Sequence, residues 1–160
     1  MTATICASPW DIELDKSDRP RVVFYKGQTL DSTGETLYYL QCDADCLNAG
    51  SWSMIDLGFG AQHGDGADLE LDAFDRPRIT YIQYSGEDLY YAWCNAACGN
   101  PASWQKTLVE TNEHVLQVWP VTNPFTCDAG FWDIKAPMFG LDAYGQPRAA
   151  FDASYHARCW

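Results

Sequence analysis

The chain has 160 residues, 47% of them hydrophobic and 14% aromatic, and a formal net charge of -12. That length can bury a core, and the composition is globular rather than disordered. The charge excludes nucleic acid and anionic membrane surfaces as partners, because both need a basic face. The acidic balance reads first as a solvated surface, in a salty or extracellular medium or beside cationic partners. No stretch approaches the ~20 apolar residues of a membrane-spanning helix, so membrane insertion is not expected. Met1 to Cys6 lacks a positive n-region and a long apolar run, so it is not read as a signal peptide.

In chain order, Cys6-Ala7-Ser8-Pro9-Trp10 reads as a loop, because Pro9 restricts Ser8 and cannot donate to a ladder. Asp11-Ile12-Glu13-Leu14 alternates polar and apolar and reads as a short strand. Asp15 to Pro20 is turn chemistry. Arg21 to Tyr25 is β-branched and aromatic, a strand. A loop holding Gly27 and Gly34 leads to the return strand Leu37 to Gln41. Cys42 and Cys46 follow, and Trp52 to Leu57 reads as the outer strand.

The same order then repeats. Gly58 to Ala67 is a glycine-rich connection. Asp68 to Leu71, a turn at Asp75-Arg76-Pro77, Ile79 to Tyr84, a tight turn at 85–88, Leu89 to Trp93, Cys94 and Cys98, and Trp104 to Glu110 form the second unit. A longer segment, 111–132, reads as an inserted loop, with Val115 to Trp119 inside it as an extra strand. The third unit runs through Pro137 to Leu141, a turn at Tyr144 to Pro147, Ala149 to Phe151, a very short turn near Asp152 to Ser154, and Tyr155 to Cys159. Its cysteine loop and Trp strand are missing. The units therefore span about 10–57, 67–110 and 133–160 within one repeat domain. Short strands with turn signals at a ~50-residue period predict an all-β fold, four-stranded antiparallel sheets repeated about an axis as in a β-propeller.

Seven cysteines are present, and two pairs share one spacing, Cys42/Cys46 and Cys94/Cys98. Each pair follows an aromatic strand and precedes a Trp by six residues. Two cysteines four apart in a non-helical loop can close a small ring, and repeated disulfides imply an oxidising compartment. Cys-x3-Cys also suits zinc. Equivalent loops of stacked repeats lie too far apart to share one ion, so disulfides are expected and no metal. The expected location is secreted, periplasmic or cell-surface.

Together these residues, Leu-Asp-x-x-Gly/Asp-x-Pro-Arg-x-x-Tyr/Phe and then Leu-x-Tyr-x-x-Cys-x3-Cys-x5-Trp, resemble the cysteine-bearing propeller-type repeats of bacterial secreted and surface proteins. The resemblance covers about residues 10–110 and 133–160. It implies that the Asp-x-x-Gly-x-Pro turn joins the two inner strands of a blade and that the following Arg starts the second. Asp18 and Asp75 depart from the pattern by replacing the turn Gly. About three blades fall short of the roughly four to eight of a closed propeller. The expectation is a partial ring, either part of a longer chain or completed by oligomerisation, and two such chains would reach the closed range. Closure would have Met1 to Trp10 complete the third blade, pairing Cys6 with Cys159. Cys6 with Cys127 is the rival pairing, since both cysteines precede a Trp-Asp-Ile.

Arg21, Arg78 and Arg148 recur after the turn proline. A ring of arginines could clamp an anion, but pairing with the turn carboxylates Asp15, Asp72 and Asp142 is the expected role. Asp65, Asp68, Glu70, Asp72 and Asp75 beside Gly64 and Gly66 would suit Ca²⁺. Their spacing is not that of a calcium loop, and strand alternation sends half to the opposite face. A solvated edge is expected, and no cofactor. His63, His114 and His156 match no zinc motif, and no nucleophile elbow, phosphate loop or dinucleotide fingerprint occurs. No catalytic residue is assigned. Insertions in repeats collect on the binding face, which nominates Trp119, Phe125, Phe131 and Trp132 as contact residues. The expected function is an extracytoplasmic binding or scaffold module with a protein partner or self-association. A carbohydrate-binding or glycoside-active propeller, and an accessory subunit of a larger surface complex, are the alternatives.

Overall fold

The structure is a computed structural model that describes residues 7–26, 36–60, 66–83, 88–111, 113–115 and 128–158. The fold is all-β and antiparallel. The first sheet holds β1 (Ala7–Leu14), β2 (Pro20–Lys26), β3 (Thr36–Cys42) and β4 (Trp52–Gly60) in that order. The second repeats it with β5 (Ala67–Leu71), β6 (Pro77–Gln83), β7 (Asp88–Cys94) and β8 (Trp104–Glu110). Among the described residues the third holds β9 (Asp128–Leu141) and β10 (Pro147–Arg158) alone. No closed ring is seen.

The two full sheets share one register logic. Val23 lies opposite Tyr39, which lies opposite Ile55; Thr80 lies opposite Tyr91, which lies opposite Thr107. One face of the first sheet (Val23, Tyr25, Leu37, Tyr39, Ile55, Leu57) packs on the opposite face of the second (Leu69, Ile79, Tyr81, Ala92, Trp104). A smaller core joins the second sheet to the third through Ile82, Leu89, Val115 and Ile134. Alternation along each strand produces this layering, since odd and even residues face different neighbours.

The turn that opens each unit has one geometry. Asp18 (φ 57°), Asp75 (φ 58°) and Gly145 (φ 74°) all occupy the left-handed region, so the two aspartates stand in for the glycine without altering the turn. The carboxylate at the head of each turn accepts the N–H groups two and four residues on: Asp15 from Ser17 and Arg19, Asp72 from Phe74 and Arg76, Asp142 from Tyr144 and Gln146.

Four expectations are corrected. Ala7 to Trp10 is strand, not loop, with Pro9 opposite Phe24 and a register shift between Pro9 and Asp11. β1 is an edge strand, where a proline's missing N–H costs no ladder bond. Met1 to Cys6 lie outside the described residues. The turn near Asp152 to Ser154 is absent. β10 runs through it because β9 extends to meet it, with Asp152, Ala153 and Ser154 opposite Lys135, Ile134 and Asp133. The inserted segment is correspondingly shorter than 111–132, since 128–132 belong to β9. Val115 lies in a helical turn at 113–115 rather than a strand, where Thr111 Oγ1 accepts the His114 N–H at 3.0 Å. Trp119 and Phe125 lie outside the described residues, as do Cys6, Cys127 and Cys159.

The cysteine loops each carry one residue in the left-handed region, Asp45 (φ 53°) and Ala97 (φ 55°). Alanine there opposes its own Cβ. Ala97→Gly is therefore expected to raise stability by about 0.5–1 kcal/mol, read as a higher urea midpoint at unchanged m-value.

Candidate functional site

Each full unit is locked at one end by an arginine. Arg21 donates to Asp15 Oδ2 and Asp43 Oδ1, both at 2.8 Å, and to the Cys42 carbonyl at 2.8 Å. Arg78 repeats the set on Asp72 (2.7 Å), Asn95 Oδ1 (2.9 Å) and the Cys94 carbonyl (2.9 Å). Both arginine side chains are only 8% exposed. The recurring arginine is thus a bolt between the entry turn and the cysteine loop, and its pairing with the turn aspartate is as expected. Burial opposes ionisation of Asp72. The Phe74 and Arg76 N–H groups, the Arg76 side chain and the Arg78 charge outweigh it and hold its carboxyl below the usual range.

The cysteine loops close as Cys42–Cys46 and Cys94–Cys98 disulfides, with Cα atoms 5.7 Å apart in each. The Trp after each loop donates its indole N–H to the second cysteine's carbonyl, Trp52 to Cys46 and Trp104 to Cys98, both at 3.0 Å. That bond explains the fixed Cys-x5-Trp spacing. Asn48 and Asn100 cap the short 3-10 turns between them.

The seams between units carry a second repeated device that was not singled out in the sequence. Asp11 Oδ2 accepts the Leu69 N–H at 2.8 Å, and Asp68 Oδ2 accepts the Phe139 N–H at 2.6 Å. Each aspartate lies four residues before its turn aspartate and reaches the next unit's entry strand. The legible signal was the recurrence of Asp11 at Asp68, and Met138 stands at that position in the third unit. Burial, then hydrogen bonding to Asp11, pushes the Asp68 carboxyl up to about 6. Asp68 therefore holds its proton longer folded than unfolded, and ionising it costs stability as pH rises from about 4 to 6. Asp68→Asn keeps an acceptor for Phe139 and adds a donor for Asp11. It is expected to raise stability at pH 7 by about 1 kcal/mol after solvent screening, with no gain at pH 4, as measured by thermal melts across that range.

The acidic run has no common centre. Asp72 serves its turn, Asp68 the seam, and Asp75 Oδ1 accepts the Lys16 N–H of the first turn at 3.3 Å. Among the described residues no group of three or more His, Cys, Asp or Glu could hold a metal ion. His114 pairs with Glu110 at 2.7 Å. Phe131 and Trp132 lie in β9, opposite His156 and Tyr155.

Two recesses flank the third unit. A cavity of about 230 Å³ lies between the second sheet and the β9–β10 pair, lined by Thr80, Tyr91, Thr107, Val109, Phe139 and Ala149 among others. A groove of about 360 Å³ lies between the second and third turns, lined by Asp72, Phe74, Arg76, Tyr144 and Gln146 among others. Phe74 and Tyr144 stand 75% and 89% exposed at its rim, and the Arg76 guanidinium lies 4.8 Å from the Phe74 ring centre. Between the first two turns the Lys16 ammonium donates to the Ala73 carbonyl.

The geometry defines a class: repeated antiparallel sheets with disulfide-closed loops. No family model, curated protein or solved structure matches the chain. Among the described residues no helix is long and apolar enough to cross a membrane. The disulfides are compatible with an extracellular setting.

Proposed function

We propose that this chain is an extracytoplasmic, propeller-like module that binds or scaffolds another protein. One observation carries the reading: among the described residues the third sheet holds only β9 and β10, so the seam that the first two sheets close in full is only partly covered beside Tyr91. Sheet edges and uncovered seams are the surfaces through which such proteins assemble. Size-exclusion chromatography with light scattering tests it. The expected result is a discrete oligomer or a complex with a protein ligand, and a compact 18.0 kDa monomer that captures no protein ligand would sink it. Intact mass with and without reductant tests the compartment, since free thiols at Cys42 and Cys94 in native protein from an oxidising compartment would contradict it.

A second reading rests on the groove between the turns. Two exposed aromatic rings beside Arg76 and Gln146 offer the stacking face and polar rim that a sugar ring uses. Titration of glycans against the Tyr144 ring signals would test carbohydrate binding; unchanged signals across a broad glycan set would dismiss it.

A further inference from the structure

We infer that the outer edge of β10 is a receptor for a strand pair of the Leu-x-Tyr-x-x-Cys-x3-Cys-x5-Trp type supplied by polypeptide outside the third unit. It would add antiparallel to β10 and seat its Trp in the 230 Å³ cavity. This names the partner class and docking site, and it rests on the assembly reading above. Three independent features coincide there.

The first is the edge itself. β2 pairs with β1 and β3, and β6 with β5 and β7; among the described residues β10 pairs with β9 alone. An open antiparallel edge presents unpaired N–H and C=O groups to an incoming strand.

The second is the cavity. Thr80, Tyr91, Thr107 and Val109 on one wall occupy the register positions of Val23, Tyr39, Ile55 and Leu57 in the first unit. Phe139 opposite occupies that of Leu69. In the first seam those residues are buried, because Ala92 and Trp104 from the third and fourth strands of the next unit cover them. Trp104 packs on Tyr39 with ring centres 5.0 Å apart. Among the described residues the third unit has no such strands, and Val109 is left 48% exposed. A dry cavity of ~150 Å³ already takes a benzene ring, so this one accommodates an aromatic side chain. Thr80 Oγ1 on its wall is buried and has no hydrogen-bond partner among the described residues.

The third is Arg148. It holds the position of Arg21 and Arg78, whose guanidinium groups bind the first cysteine's carbonyl and the next residue's side chain. Among the described residues Arg148 pairs with Asp142 alone, at 2.7 Å, and is 70% exposed. Its remaining donors point to the same incoming loop.

The probe is a synthetic peptide of residues 88–110, oxidised to its Cys94–Cys98 form, added to the intact chain and followed by fluorescence anisotropy. Binding near ~10 μM is expected, weakened at least ~10-fold by Arg148→Ala, by Thr107→Trp (which fills the cavity from an exposed position) and by Trp104→Ala in the peptide. An isolated strand pair is marginally folded. A second arm therefore fuses 88–110 after Trp160 through a Gly/Ser linker, raising its effective concentration to the millimolar range. The fusion is expected to melt several degrees higher, and Arg148→Ala to erase the gain. No binding and no gain in Tm overturn the inference. An oligomer that survives Thr107→Trp alongside those results leaves assembly standing through another surface; a monomer alongside them removes both.

Discussion

Arg78→Ala is expected to cost about 3–5 kcal/mol. The substitution strands the buried Asp72 carboxylate, which Arg78 meets at 2.7 Å with both side chains under a tenth exposed. It also leaves the Cys94 carbonyl and Asn95 without their charged donor. Arg76 retains a bond to Asp72, which keeps the loss short of complete unfolding. Arg148→Ala removes the same residue type from the same register position but from an exposed pair, and is expected to cost under ~1 kcal/mol. Asp72 is depressed by its partners, so its contribution is present above the unfolded carboxyl range and fades as pH falls through it. The Arg78→Ala deficit should therefore shrink below about pH 4. Urea titrations at pH 7 and pH 3 check both statements; equal losses for Arg78→Ala and Arg148→Ala would contradict the bolt.

Trp104→Ala is expected to cost about 3–5 kcal/mol, while Trp52→Ala costs markedly less. Both indoles make the same 3.0 Å bond to a cysteine carbonyl, so that term cancels between them. The difference lies in burial. Trp104 is 7% exposed because Tyr39 of the preceding sheet covers it, whereas Trp52 faces the side of the first sheet that has no described neighbour. Ile12 on the same side is 59% exposed although its register equivalent Leu69 is fully buried. Thermal melts of the two variants separate seam packing from loop closure, and matching Tm losses would show that the seam contributes little.

The repeat itself was legible from residues: the strand order of both full units, the turn residues and the two disulfides all follow from patterns that act locally. A turn carboxylate bonds to N–H groups two and four residues away, and a Cys-x3-Cys ring closes within its own loop, so neighbours in sequence suffice to specify them. The arginine pairing was legible for the same reason, as Arg78 lies six residues from Asp72. The seam aspartates were not, because Asp11 and Leu69 are joined only when one sheet stacks on the next. The unbroken β10 was hidden likewise: Asp152 to Ser154 carry turn chemistry, and the cross-strand partners 133–135 override it.

By itself, then, the sequence determined an all-β repeat of disulfide-closed units with aspartate-headed turns, since those features depend on short-range bonds. Only the tertiary structure decided which faces are sealed and which are open. Burial is a property of pairs of sheets, and the same aromatic pattern that is covered at Tyr39 lines a cavity at Tyr91.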